Sequence, residues 1–143
     1  HSMLPFLIEM PHLYEAFVAN WLAAHLDPTQ WRLATQERVV WSEGGELDYR
    51  IDLVLYRRSD DSAYAVLDTK YKRPERPSPD DVAQVVAYAE TKGCGRAYLI
   101  YPVPVAPLPV DAFHHVTVQA LTFALDGDLE ANGQAFLAAL AST

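Results

Sequence analysis

Apolar residues recur at helical spacing through residues 12 to 26. At about 100° per residue, Tyr14, Phe17, Val18, Trp21, Leu22 and Leu26 fall on one broad arc. Pro11 precedes the run and Asp27-Pro28 ends it. Glu15 lies inside that arc, between Leu22 and Leu26, where a carboxylate needs a partner, a metal or a proton. Three strand patterns follow. The first covers roughly residues 35 to 42 and leads into Glu43-Gly44-Gly45-Glu46, a strong hairpin turn. The second, residues 47 to 57, alternates. Leu47, Tyr49, Ile51, Leu53 and Leu55 are expected on one face, and Asp48, Arg50, Asp52, Val54 and Tyr56 on the other. After the Ser59-Asp60-Asp61-Ser62 turn, a third strand is expected from about Ala63 to Lys72, with Tyr64, Val66, Asp68, Lys70 and Lys72 sharing a face.

Ser78-Pro79-Asp80-Asp81 carries several helix-start signals. Ser78 can cap, Pro79 suits the first turn, and Asp81 stands where a capping-box acid belongs. That helix runs to about Lys92, with Gly93 as its stop. Val82, Val85, Val86 and Ala89 form its apolar stripe, while Gln84 and Tyr88 share another face with Asp81. A fourth strand is expected over 96 to 102, then a proline-rich loop to Pro109 and a fifth strand near His115 to Phe123. A last helix runs from Leu129 to about Ala141. The order α-β-β-β-α-β, then β-α, predicts an α/β fold with a mixed sheet flanked by helices.

Half of the 143 residues are apolar, enough for one domain with a sizeable core, expected over residues 4 to 143. His1-Ser2-Met3 reads as a cloning remnant, and the chain as a fragment of a larger subunit. No apolar stretch approaches the roughly 18 residues that span a bilayer, and no signal peptide is visible. Cys94 is the single cysteine, which excludes an internal disulfide and suits a cytoplasmic location.

The net charge of −8 argues against strong binding to nucleic acid by this domain alone. Its distribution is uneven. Residues 50 to 76 hold seven bases (Arg50, Arg57, Arg58, Lys70, Lys72, Arg73 and Arg76) against five acids, a local balance of +2. These bases are expected around the candidate site.

That site centres on Asp68-Thr69-Lys70. An Asp and a Lys two apart on a strand point the same way. Asp52 interrupts the neighbouring apolar strand, and cross-strand side chains lie about 5 Å apart, so Asp52 and Asp68 can share one ion. Without a cation, two close aspartates raise one another's pKa. Mg2+ would relieve this and polarise a phosphodiester, with the Thr69 carbonyl as a further ligand. Lys70 would orient the attacking water and stabilise transition-state charge. Other candidates are weaker. His114 and His115 are adjacent on a predicted strand and point to opposite faces. His25 suits a helix C-terminus. Trp21, Trp31 and Trp41 read as core residues, and neither a Walker A motif nor a dinucleotide loop is present.

Glu15 on a helix, Asp52, Asp68-Thr69-Lys70 and then Gln84-x-x-x-Tyr88 resemble the PD-(D/E)XK nuclease superfamily and its restriction-endonuclease-like fold. Gln84 and Tyr88 are similar to the RecB-type and Cas4-type branch, which implies that they contact substrate or support the ligands. More narrowly, Leu13-Tyr-Glu-Ala-Phe-Val18, Asp68-Thr-Lys-Tyr-Lys72 and Asp81-Val-Ala-Gln-Val-Val-Ala-Tyr-Ala89 resemble McrC-type endonuclease subunits over roughly residues 11 to 102. Ile51 stands where the "PD" signature has proline. The resemblance implies a Mg2+-dependent DNA endonuclease (Mn2+ substituting), with Asp52, Asp68, Lys70 and Glu15 catalytic and Gln84, Tyr88 and Lys72 supporting. Asp52, Asp68 and Thr69 would be the metal ligands, with Glu15 as a further acid toward the metal. It also implies a McrB-type AAA+ GTPase motor as partner, and a dimer for double-strand cleavage. A stand-alone RecB-like repair nuclease and a catalytically silent assembly or DNA-binding module remain as alternatives.

Overall fold

A computed structural model describes residues 9–40, 48–108 and 115–142. In chain order the elements are α1 (Met10–His25), β1 (Trp31–Val40), β2 (Asp48–Arg57), β3 (Ala63–Thr69), α2 (Pro79–Lys92), β4 (Arg96–Tyr101), β5 (Thr117–Thr122) and α3 (Leu129–Ala141). The strands form one five-stranded sheet in the order β1-β2-β3-β4-β5. β1, β2 and β3 are antiparallel neighbours, whereas β3, β4 and β5 run parallel. The expected α/β fold with a mixed sheet flanked by helices is what the chain adopts, an architecture compatible with a restriction-endonuclease-like fold. Among the described residues no helix is long and apolar enough to cross a membrane.

Each sheet face has its own apolar cluster. On one, Tyr14, Val18, Trp21 and Leu22 of α1 and Phe136 and Leu140 of α3 pack on Leu53, Leu55, Leu67, Tyr98 and Ile100. The helices meet closely there: a Cβ added at Gly133 of α3 would stand 2.3 Å from Trp21 Cε2, so only glycine fits. On the other face, Val82, Val85, Tyr88 and Ala89 of α2 cover Val54, Tyr56, Val66, Ala97, Leu99 and Tyr101. The α2 start and stop are those the sequence announces. The Ser78 hydroxyl accepts from the Asp81 N–H at 3.1 Å, and Gly93 takes a left-handed φ of 68°.

Several boundaries and facings differ from the simple pattern. β1 starts at Trp31 rather than near 35, because Trp31 to Ala34 pair with Val54 to Arg57. As an exposed edge strand it has little alternation to betray it. β3 ends at Thr69 rather than Lys72, and the Lys72 N–H turns back to the Lys70 carbonyl at 2.9 Å. Within β2, Tyr49 and Ile51 join the α2-side cluster while Leu53 and Leu55 join the other, so the facing reverses around Asp52. A register shift between Leu55 and Tyr56 turns Tyr64 away from the face of Val66, toward Trp31.

Trp21 is buried and Trp31 packs on the α1-side core, while Trp41 and the Glu43–Glu46 turn lie outside the described residues. His25 closes α1, its ring stacked on Trp21 at 3.8 Å and its Nδ1 2.8 Å from the Trp21 carbonyl. His115 precedes β5, which begins at Thr117; His114 lies outside the described residues.

Candidate functional site

The strands deliver Asp52 and Asp68 to one place. Leu53 and Leu67 are antiparallel partners, so the residue before one stands across from the residue after the other. The Thr69 N–H and hydroxyl each donate to Asp52 Oδ2 at 3.0 Å, anchoring that oxygen. The Asp52 and Asp68 carboxyls are close enough to hydrogen-bond. Asp68 is 4% exposed and is the one buried charged residue among those described.

Burial, then the charge of Asp52, pushes the Asp68 carboxyl up to about 7, against the opposing effect of Lys70. Burial also raises Asp52; the contact with Asp68 and the Thr69 donors oppose it, and the charge of Glu15 adds to it. Two such carboxyls share protons before both ionise. Desolvated, mutually repelling and partly pre-oriented, they make a donor pair that suits a hard divalent cation. Among the described residues no three Asp, Glu, His or Cys side chains assemble into a metal cluster.

Lys70 takes its place from the strand end, where its N–H donates to the Ile100 carbonyl at 2.8 Å. Its Nζ lies 2.7 Å from Asp68 Oδ2, a close ion pair off the hydrogen-bond directions, and donates to Gln84 Oε1 at 2.9 Å. Burial works against the ammonium, but Asp68, Asp81 and Asp52 outweigh it and raise its pKa above the ordinary value. Gln84 and Tyr88 both approach from α2. Tyr88 stacks on Tyr49 at 5.1 Å, and burial followed by the charges of Asp68 and Asp52 pushes its hydroxyl up to about 12.

Lys72 no longer lies on a strand, yet its Nζ sits 2.5 Å from Asp81 Oδ2. Glu15 is half-buried and bonds the Gln36 side chain. Arg57 and Arg58 are not at the site. They stand at the far end of β2, roughly 17 Å along the strand from Asp52 at ~3.3 Å per residue. There Arg57 covers the Tyr64 ring and Arg58 donates to the Trp31 carbonyl.

The sequence pattern missed three participants. Asp81 was expected to close a capping box. Its N–H does meet Ser78, but its carboxylate turns to Lys72 and stands 3.8 Å from Lys70. Its shared helix face with Gln84 was the available signal. The Tyr101 hydroxyl is buried beside Asp81 and Asp68 and has no hydrogen-bond partner among the described residues. Gln36 had no signal at all.

Fold and site together define an α/β protein whose mixed sheet brings a buried and a half-buried acid and a lysine to one strand end. The family model for "McrBC 5-methylcytosine restriction system component" matches residues 1–102, and the chain belongs to that family. It is a restriction-system component, in agreement with the resemblance carried by its motifs. A search of curated proteins found no match.

Proposed function

We propose that this domain is the cleaving part of a modification-dependent restriction system, a divalent-cation-dependent DNA endonuclease of PD-(D/E)XK type. The observation that carries the reading is the desolvated Asp52–Asp68 pair, whose direct cationic neighbour among the described residues is Lys70. A structural role gives little reason to desolvate two repelling acids side by side. Asp52 and Asp68, with the Thr69 carbonyl, would hold Mg2+, and Mn2+ would substitute. When bound, the cation supplies charge neutralisation and polarisation at the scissile phosphate. Asp52 offers Oδ1 while Thr69 keeps Oδ2 fixed. Lys70, held protonated by its acids and aimed by Gln84, orients the attacking water and stabilises charge building on the phosphate oxygens. Tyr88 and Lys72 support that arrangement from α2 and the strand end.

The acidic balance of the chain fits a division of labour in which a McrB-type AAA+ GTPase recognises modified DNA and brings it to this subunit. Two copies would be needed to cut both strands together. The test is nicking of supercoiled methylated DNA in Mg2+ with that motor present. The parent should cut, while EDTA, Asp68→Ala and Lys70→Ala should each stop it. Unchanged nicking by either variant would sink the assignment.

A further inference from the structure

Gln36 lies midway along β1 with a backbone φ of 52°, a left-handed conformation that residues other than glycine, asparagine and aspartate rarely adopt. The β1–β2 ladder breaks at the same point. Thr35 pairs with Leu53 and Glu37 with Ile51, while Gln36 and Asp52 drop out between them. On β2 this is also where the side-chain facing reverses. Non-glycine residues in such conformations persist where their surroundings hold them, and they gather at functional sites.

The surroundings here are two acids from different elements. Gln36 Nε2 donates to Glu15 Oε2 of α1 and lies 3.5 Å from Asp52 Oδ1 of β2. A side-chain amide has two N–H groups, one for each carboxylate. Asp52 Oδ1 is also the oxygen left free by Thr69. A neutral donor between Glu15 and Asp52 lets a helix acid approach a strand acid without adding a further charge.

We infer that Gln36 is a positioning residue for the cation site: its amide spans Glu15 and Asp52 and sets the distance of the helix acid from the Asp52–Asp68 pair. This role rests on the divalent-cation reading above. The kink in β1 aims the amide, and the length of the glutamine arm lets it reach α1. Gln36 touches the acids and acts through them.

The test is Mn2+ titration by calorimetry on the parent, Gln36→Met, Gln36→Asn, Glu15→Gln, Asp68→Ala and the Glu15→Gln/Gln36→Met double variant, with thermal melts on each. Removing a residue that orients metal ligands typically weakens affinity about 10- to 100-fold. Gln36→Met and Gln36→Asn should therefore both weaken Mn2+ binding by roughly tenfold or more. Asparagine tolerates the left-handed backbone better than glutamine but is one methylene too short to span the acids. Gln36→Asn should accordingly melt no lower than the parent, which separates positioning from folding. In the Glu15→Gln background, Gln36→Met should weaken binding by much less than it does in the parent, because the two residues act as a unit. Equal loss in both backgrounds would overturn the role. So would parent-like affinity in both Gln36 variants when Asp68→Ala abolishes binding, and that outcome would leave the cation reading intact. A parent that binds no Mn2+ would overturn both.

Discussion

The two faces of the sheet bury similar apolar side chains and use them differently. Under α1 and α3 the packing is closed and tight, with Trp21 set against Gly133 and Phe123 among Phe17, Trp21 and Phe136. Under α2 the apolar layer runs out into charge. Beyond Val66, Leu99 and Val85 come Asp68, Asp81, Tyr101 and Lys70. The first face gains stability from every group it excludes from water. The second leaves Asp68 desolvated against Asp52, a net cost to the fold that a bound cation would remove. The contrast separates what holds the domain together from the region that carries the proposed function.

The largest way to break the contrast is to remove the charge. Asp68→Ala should lower Mg2+-dependent cleavage by about 10³-fold or more, measured by plasmid nicking, with circular dichroism unchanged. Gly133→Ala should do the reverse. Overpacking against Trp21 should destabilise the domain by about 2–3 kcal/mol in urea melts, with Mn2+ affinity retained by the folded fraction.

Proton linkage gives a test of similar size. Asp68 binds its proton more tightly in the fold than in the unfolded chain, its pKa rising from 3.8 to about 7. Between those values the folded state holds more protons, so stability in EDTA should fall as pH rises, on the order of 2–4 kcal/mol from pH 4 to 7. The groups facing Asp68 are Asp52, Lys70, Asp81, Tyr88 and Tyr101, and of these Asp52 shifts in the same direction. Asp68→Asn should flatten the profile and stabilise the domain at pH 7.5 in EDTA. A profile rising over that range in the parent would show that the pair does not repel. The smallest effect belongs to Tyr101→Phe. Deleting an unpartnered buried hydroxyl should change stability by no more than about 1 kcal/mol, toward greater stability. A loss above 2 kcal/mol would mean that the hydroxyl has a partner.

Much of this was legible in the chain because its causes are local. Ser78 and Gly93 bound α2 through their own backbone chemistry, and the α1 arc follows from side chains on a 3.6-residue period. Asp68 and Lys70 come together because residues two apart at a strand end share a side. The Glu15 position inside an apolar arc correctly announced a need for a partner, but not which one.

The rest depended on contacts between distant segments. Alternation assumes an unbroken strand and puts Tyr49 and Ile51 on the face of Leu53. The kink at Gln36 and Asp52 reverses them. Charge counting treats neighbours in sequence as neighbours in space, but a strand carries Arg57 and Arg58 some 17 Å from Asp52. The sequence by itself determined the elements, their order and the acids and lysine of the candidate site, since propensity, capping and period are properties of short segments. Only the tertiary structure decided that Thr69 anchors Asp52, that Gln36 bridges Glu15 to it and that Asp81 takes Lys72. Each of those contacts joins residues from separate segments of the chain, at distances set by strand pairing and helix docking.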